Sequence, residues 1–238
     1  MTDSAALEAR ITKLEHDLAI QQDIHQIRRI QYTYGYFIDK SQYDEVVDLF
    51  SDDGEVWFMG AKWLGKKGVH RLYVEYFQSR FTQGHNGPIY GWLLDHPQLQ
   101  MVIDIADDRK TATVRGRSMM QAGRHHTAEG DPRGWWEGGI YDNRYVNDGG
   151  VWKIQRLGYF PFWHGTFADG WEKTPIDFIP MYTQDKLYPT DPFGPDALVE
   201  PQPRLWPATD IVEFPYPHPV TGKPIVVDNS RAREGFED

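Results

Sequence analysis

The chain has 238 residues, 40% of them hydrophobic, and a formal net charge of −10, enough apolar material for a core in one large domain or one domain with appendages. The acidic balance argues against nucleic acid and membrane surfaces as partners, and the absence of Cys excludes disulfides, thiolate metal ligands and cysteine nucleophiles. No run of 18 apolar residues exists and no basic region precedes an apolar stretch at the N-terminus, so no membrane span or secretory signal is expected and a cytoplasmic location is the default.

In chain order, Leu7, Ile11, Leu14 and Leu18 step by four, three and four. This short heptad seam predicts an N-terminal helix over 1–22, lying against its own domain or against another subunit. From residue 23 onward Ile24, Ile27, Ile30, Tyr34, Phe37 and Ile38 form the apolar stripe of an amphipathic helix that leaves Asp39 near its C-terminal end. A carboxylate there faces the negative end of the helix dipole, at a cost of a few tenths of a kcal/mol, and is expected to have a partner. Residues 44–50 read as a second helix, Ser51-Asp52-Asp53-Gly54 as a turn and 55–58 as a strand. Gly65 to Gly68 introduces a third helix carrying Val69, Leu72, Tyr73, Tyr76 and Phe77. Strand-like runs follow at 98–105, 111–121 and 135–146, then at 151–163 after the turn Asn147-Asp148-Gly149-Gly150. Three helices followed by a long curved antiparallel sheet make an α+β layer fold.

Beyond residue 164 the composition changes. Twelve of the 16 prolines lie in 165–238, which rules out long helices and central strands. The same segment carries Trp171, Phe178, Tyr182, Tyr188, Phe193, Trp206, Phe214 and Tyr216, too many aromatics for a disordered linker. An ordered, extended arm that buries these rings on the domain or on a neighbouring subunit accounts for both.

Taken together, Tyr34 five residues before Asp39, the run YDEVVDLFSDDGEV at 43–56, a Gly before the third helix, His96 ahead of the third strand and DGGVWKIQR at 148–156 resemble the SnoaL-like branch of the nuclear transport factor 2-like superfamily. That branch includes scytalone dehydratase, bile-acid dehydratase, hexachlorocyclohexane dehydrochlorinase, limonene-epoxide hydrolase and steroid isomerase. The resemblance implies a helix-lined cone with a catalytic domain over 23–164, no cofactor, and a homo-oligomer with a trimer favoured. The long chain and its Trp- and Tyr-rich lining are most similar to bacterial lyases that release formaldehyde from diarylpropane lignin dimers.

Asp39 and His96 carry the most chemical weight, because a buried imidazole held by a carboxylate is a general base able to work near neutral pH. The plain alternative is that Asp39 caps a neighbouring element and His96 merely precedes Pro97 in a bend. The resemblance implies that Asp39 orients His96 and that Tyr34 hydrogen-bonds the substrate. On the last strand, alternation from Trp152 and Ile154 puts Arg156, Gly158, Phe160, Phe162 and His164 on the same face if no bulge intervenes. Arg156 inside an apolar cone would stabilise a leaving oxygen or phenolate, or pair with Asp39 or another structural acid.

Alternation over 111–121 sets Ala112, Val114, Gly116, Ser118 and Met120 on a small inner face, and Thr111, Thr113, Arg115, Arg117 and Gln121 outward. Aromatic candidates for the lining include Trp135 and Tyr145. Trp92, Trp136, Tyr141, Phe160 and Phe162, with His164, are the expected contacts for a small aromatic substrate. The adjacent His125 and His126 point apart on a strand and, even with Glu129 and Asp131 in the following loop, do not make a metal site, so no metal is expected. Glycine-rich nucleotide, nucleophile-elbow and H-E-x-x-H motifs are absent.

The expected activity is therefore a cofactor-independent lyase of a hydroxylated aromatic compound, by dehydration or by release of formaldehyde through a quinone methide. A dehydratase, isomerase or epoxide hydrolase acting on a polycyclic or terpenoid substrate, and a non-catalytic binding module, are the alternatives.

Overall fold

One helix, α1 (Ser4–Asp39), runs unbroken through what the sequence reads as two segments. The computed structural model describes residues 4–125, 134–201 and 204–234. The first turns of α1 leave Leu7, Ile11, Leu14 and Leu18 exposed. Farther on, Asp23, Ile27, Gln31, Tyr34, Gly35 and Ile38 are buried, at the three- and four-residue spacing of a single face. The buried polar members are hydrogen-bonded. Gln31 Nε2 donates to Gln98 Oε1 at 2.7 Å, and Gln31 Oε1 accepts from Asn143 Nδ2 at 2.7 Å and from the Tyr145 hydroxyl.

Asp23 accepts from Arg109 Nε at 2.6 Å and from Trp152 Nε1 at 2.9 Å. Burial alone would raise this carboxyl, but the two donors outweigh it and hold Asp23 below its ordinary value of 3.8. A depressed carboxylate stabilises the fold above its unfolded pKa, and that contribution is lost as pH falls through the folded one. Asp23→Asn is thus expected to cost about 1–2 kcal/mol near neutrality, the low end for charged hydrogen bonds because Arg109 is partly solvated. Urea melts of the two proteins should converge as pH drops below about 3.8. An equal gap at pH 7 and pH 3 would dismiss the ionised carboxylate as the cause.

After Ser41, at a left-handed φ of 55°, come α2 (Tyr43–Asp48), β1 (Phe50–Phe58) and β2 (Ala61–Trp63). The expected turn at 51–54 lies inside β1. The chain pairs on either side of it with β7 (Val151–Thr166), which runs parallel to β1, Phe50 facing Ile154 and Glu55 facing Arg156 with the register shifting between them. Ser51 Oγ donates to Asp53 Oδ1 at 2.7 Å, so the turn chemistry becomes a local irregularity within a strand. The third helix begins as α3 (Gly65–His70), continues as a π-helical stretch (Arg71–Gln78) and closes with one α turn (Ser79–Thr82).

The remaining strands are β3 (Trp92–Asp95), β4 (Gln98–Ile105), β5 (Thr111–Arg124), β6 (Gly134–Asp148) and a short β8 (Ala197–Leu198). They form a mixed sheet in the order β3-β5-β6-β7-β1-β2-β8, with β4 on β5 beyond β3. Except for the β1–β7 pair, every pairing is antiparallel. Gly149 and Gly150, both at positive φ (60° and 93°), make the two-residue β6–β7 turn between the paired Asp148 and Val151, a conformation that glycine adopts without steric cost.

Along β5 and β6 the register is unbroken. Ala112, Val114, Gly116, Ser118 and Met120 therefore share the inner face with Tyr145, Asn143, Tyr141, Gly139 and Glu137, against which α1 packs. Parts of the described C-terminal arm touch the domain of the same chain. Tyr182 meets the Trp63 ring edge-on at 5.1 Å, Asp196 pairs with Arg71 at 2.7 Å, and the Trp206 backbone N–H donates to the Phe162 carbonyl at 2.7 Å. Among the described residues no helix is long and apolar enough to cross a membrane.

Candidate active site

Asp39 ends α1, and His96 occupies the bend between β3 and β4, which pair with successive stretches of β5. The bend turns His96 inward onto the helix end. Its backbone N–H donates to Asp39 Oδ1 at 3.2 Å, and its ring Nδ1 meets the same oxygen. Asp39 thus caps the bend and orients the ring at once, so both sequence alternatives describe one geometry. An imidazole that donates from Nδ1 presents Nε2 as the base. Gln98 fixes the loop, its Nε2 donating to the His96 carbonyl at 2.9 Å.

Tyr34 sits one helical turn and a half before Asp39 and packs edge-on against His96, with ring centroids 6.4 Å apart. The Tyr34 hydroxyl lies 3.2 Å from that of Tyr73, which the π-helical stretch carries. Burial first, and the neighbouring Tyr73 second, push Tyr34 well above the usual phenol range. Burial does the same to Tyr141 and Tyr159, with Tyr34 adding to the first and Glu137 to the second. These hydroxyls stay protonated and serve as hydrogen-bond donors.

Four of the ten expected site residues lie elsewhere. Arg156 pairs with Asp142 Oδ2 at 2.5 Å and lies over the Trp57 ring at 4.5 Å, on the outer face of the sheet. Burial pushes its guanidinium below the ordinary value, and Asp142 opposes that shift. The cause of the misplacement is a β-bulge. Arg144 faces Arg156 while Tyr145 faces Ile154, so Gln155 is an extra residue on β7 and the side chains from Arg156 to Pro161 change face.

Phe160 and Phe162 follow Arg156 outward. Trp136 is also outside. On the unbroken β6 it is five residues from the inward Tyr141, an odd spacing, and Trp135 takes the inner position. Trp136, Phe160 and Phe162 line a cleft of about 1140 Å³ beneath the arm, with Trp206 and Phe214 on its far wall. Arg115 and Arg117 are its cations, and Arg115 is engaged by Asp142 Oδ1 at 3.1 Å and by the arm carbonyls of Val212 and Glu213. Among the described residues the lining of the cleft holds no carboxylate–imidazole pair, whereas the inner face holds Asp39 with His96.

A second bulge, at Phe162 between the pairs Gly139–Pro161 and Gly138–Trp163, returns His164 to the inside. There its Nε2 lies 2.5 Å from Glu137 Oε2, and the Tyr159 hydroxyl donates to Glu137 Oε1 at 2.6 Å. Glu137 is not among the sequence-derived candidates, although its spacing of four from Tyr141 marks it as inward. Gln98, Tyr73 and Tyr159 are absent from that set as well. Trp92 stays inside, stacked on Phe81 at 4.6 Å. The inner set is therefore Tyr34, Asp39, His96, Trp92, Tyr141 and His164, joined by Glu137 and Tyr159. His125 closes β5 by a hydrogen bond from its N–H to the Gly91 carbonyl at 2.8 Å, whereas His126, Glu129 and Asp131 lie outside the described residues.

Residues 20–158 match the family model of the SnoaL-like domain. Among solved structures the chain is similar to a protein of Novosphingobium aromaticivorans provisionally assigned as a scytalone dehydratase, at 18% identity and a TM-score of 0.50, over 65% of this chain and 91% of that one. It is also similar to Kfla4162 from Kribbella flavida, at 14% identity and a TM-score of 0.50, over 61% and 94%. A type 2 hexachlorocyclohexane dehydrochlorinase, LinA, aligns at 17% identity and a TM-score of 0.48, over 64% and 91%. At such identities the likeness is one of fold. No curated protein matches the chain.

Proposed function

Since the chain belongs to the SnoaL-like domain family, we propose that it is a cofactor-independent lyase acting on a hydroxylated aromatic compound, with His96 as the proton-transfer group. The observation that carries this reading is the contact of His96 Nδ1 with the Asp39 carboxylate in a buried, tyrosine-lined setting. That contact fixes the tautomer and stabilises the imidazolium formed when Nε2 accepts a proton. Tyr34 remains neutral and donates to the oxygen on which charge develops. Arg156 has no part in this reading, because it is held by Asp142 on the other face.

The finer proposal is a diarylpropane dimer of the lignin type as substrate. The para-phenol passes its proton to solvent, and the phenolate drives out the benzylic hydroxyl, which takes a proton from protonated His96 and leaves as water, so that a quinone methide forms. Neutral His96 then takes the proton of the hydroxymethyl group. The C–C bond breaks, formaldehyde leaves, and the bonding electrons restore the aromatic ring as a phenolate, which regains its proton from solvent. Support for two-ring substrates comes from the rings around the dyad, since each stacked or edge-on contact contributes about 0.5–1.5 kcal/mol beyond burial.

The test is turnover of hydroxylated diaryl compounds with water-loss products and formaldehyde assayed together. Methylation of the para-hydroxyl is expected to abolish turnover while leaving Kd within about threefold, because the ring still stacks but no phenolate can drive departure of the hydroxyl. Full activity on the methyl ether would dismiss the quinone methide and leave base-promoted dehydration or isomerisation.

A further inference from the structure

The inner wall carries a second carboxylate–imidazole pair that the mechanism above does not use. Glu137 and His164 face each other across the β6–β7 pair, their side chains 4% and 3% exposed, with Nε2 2.5 Å from Oε2. The approach is off the line of the ring N–H, so His164 Nε2 has no aligned hydrogen bond. Tyr159 supplies the third member by donating to Glu137 at 2.6 Å. A row of neighbouring phenol rings joins this cluster to the first dyad: Tyr159 tilted against Tyr141 at 5.0 Å, then Tyr141 edge-on to Tyr34 at 6.2 Å and Tyr34 edge-on to His96 at 6.4 Å between ring centres.

This cluster differs from a structural salt bridge in two respects. A buried charged pair adds little net stability, and apolar residues of the same volume would serve a core as well or better. Moreover, the same wall holds three further buried polar groups without a partner among the described residues: the Ser118 hydroxyl and the indole N–H groups of Trp92 and Trp135. Each unsatisfied group costs about 1–3 kcal/mol, and they face the interior beside Glu137 on adjacent strands. A ligand with oxygen atoms at this end would satisfy them.

We propose that Glu137, His164 and Tyr159 form a second proton-transfer centre, which receives the hydroxylated end of a substrate whose other end meets Asp39 and His96. This rests on the lyase reading and assigns the acceptor of the phenol proton. Neutral His164, with Glu137 offsetting the charge it gains, takes the proton of the para-phenol in place of solvent. At the other end protonated His96 gives its proton to the benzylic hydroxyl, and the C–O bond breaks as water leaves with the electron pair. His96 then takes the hydroxymethyl proton as formaldehyde leaves, and His164 returns its proton to the phenolate, so both imidazoles end as they began. His164 is then a catalytic residue, and Glu137 its positioning residue.

The test compares Glu137→Gln, His164→Gln and Tyr159→Phe in the full chain with the parent. On any diaryl substrate the parent converts, the first two are expected to lower kcat by at least about thirtyfold with KM within about threefold, and Glu137→Asp to recover part of the loss. A second arm needs no turnover. 4-Nitrophenol, whose visible spectrum separates phenol from phenolate, is expected to bind the parent, and each variant to shift the bound spectrum or weaken Kd at least tenfold. Parent protein that converts no substrate would sink the lyase reading yet leave this arm decisive, and parent protein that does not bind 4-nitrophenol would overturn the second centre. So would folded variants with unchanged kcat, Kd and spectrum. Should the charge variants fail to fold, Tyr159→Phe removes a single hydroxyl and decides by the same readout.

Discussion

Replacing His96 by alanine is expected to lower kcat by about a hundredfold or more while the protein still folds, because general acid–base groups typically contribute factors of 10²–10⁴. Asp39→Asn should lose a similar factor by a different route. The amide keeps the volume of the carboxylate and one oxygen for the His96 backbone N–H, a bond of 3.2 Å in the parent. It cannot stabilise an imidazolium, and it can present an N–H to the ring in place of an acceptor. Asp39→Ala is the poorer test, since it would also release the β3–β4 bend. Steady-state kinetics on a converted diaryl substrate, beside circular dichroism melts, decide the matter. A variant that keeps near-parental kcat removes that residue from the mechanism.

The second large effect concerns stability. Asp142 holds two guanidinium groups on the outer face, Arg115 through Oδ1 at 3.1 Å and Arg156 through Oδ2 at 2.5 Å, and both Arg side chains are 9% exposed. Removing the shared carboxylate leaves two buried cations facing each other, for which the cost is about 3–5 kcal/mol. Asp142→Ala should therefore unfold at markedly lower urea, while kcat per folded molecule stays within about threefold. Arg156→Lys should behave likewise. It keeps the charge but not the double role of ion pair and stacking over Trp57. A loss of kcat without a loss of stability in Arg156→Lys would return this residue to the active site and overturn the assignment of faces.

Local rules decided much of the architecture. The three- and four-residue spacing from Ile24 to Ile38 specifies the buried face of α1, and strict alternation from Ala112 to Met120 assigns the inner wall, because β5 pairs with β6 without a bulge. The Gly149–Gly150 turn was equally legible, since two consecutive positive φ angles demand it. The bulges were not. An extra residue at Gln155 sends Arg156 and Phe160 outward, and a second at Phe162 brings His164 back, so the period-two rule fails at one position and holds at the next for reasons that lie in the partner strand. Likewise Ser51 to Gly54 carries turn chemistry, yet parallel pairing with β7 on both sides of it, at Phe50 and at Glu55, keeps it within β1.

The two dyads divide in the same way. Sequence alone nominated Asp39 and His96 through the order of their motifs, but 57 residues separate them, and their meeting depends on β3 and β4 sharing β5 so that the bend at His96 falls on the end of α1. Glu137 and His164 become neighbours through the register of one hairpin, shifted by its bulges, and no spacing along the chain announces that. Residue types and periodicity determine which groups can be buried. Long-range strand register decides which of them face one another, because one inserted residue inverts every side chain beyond it.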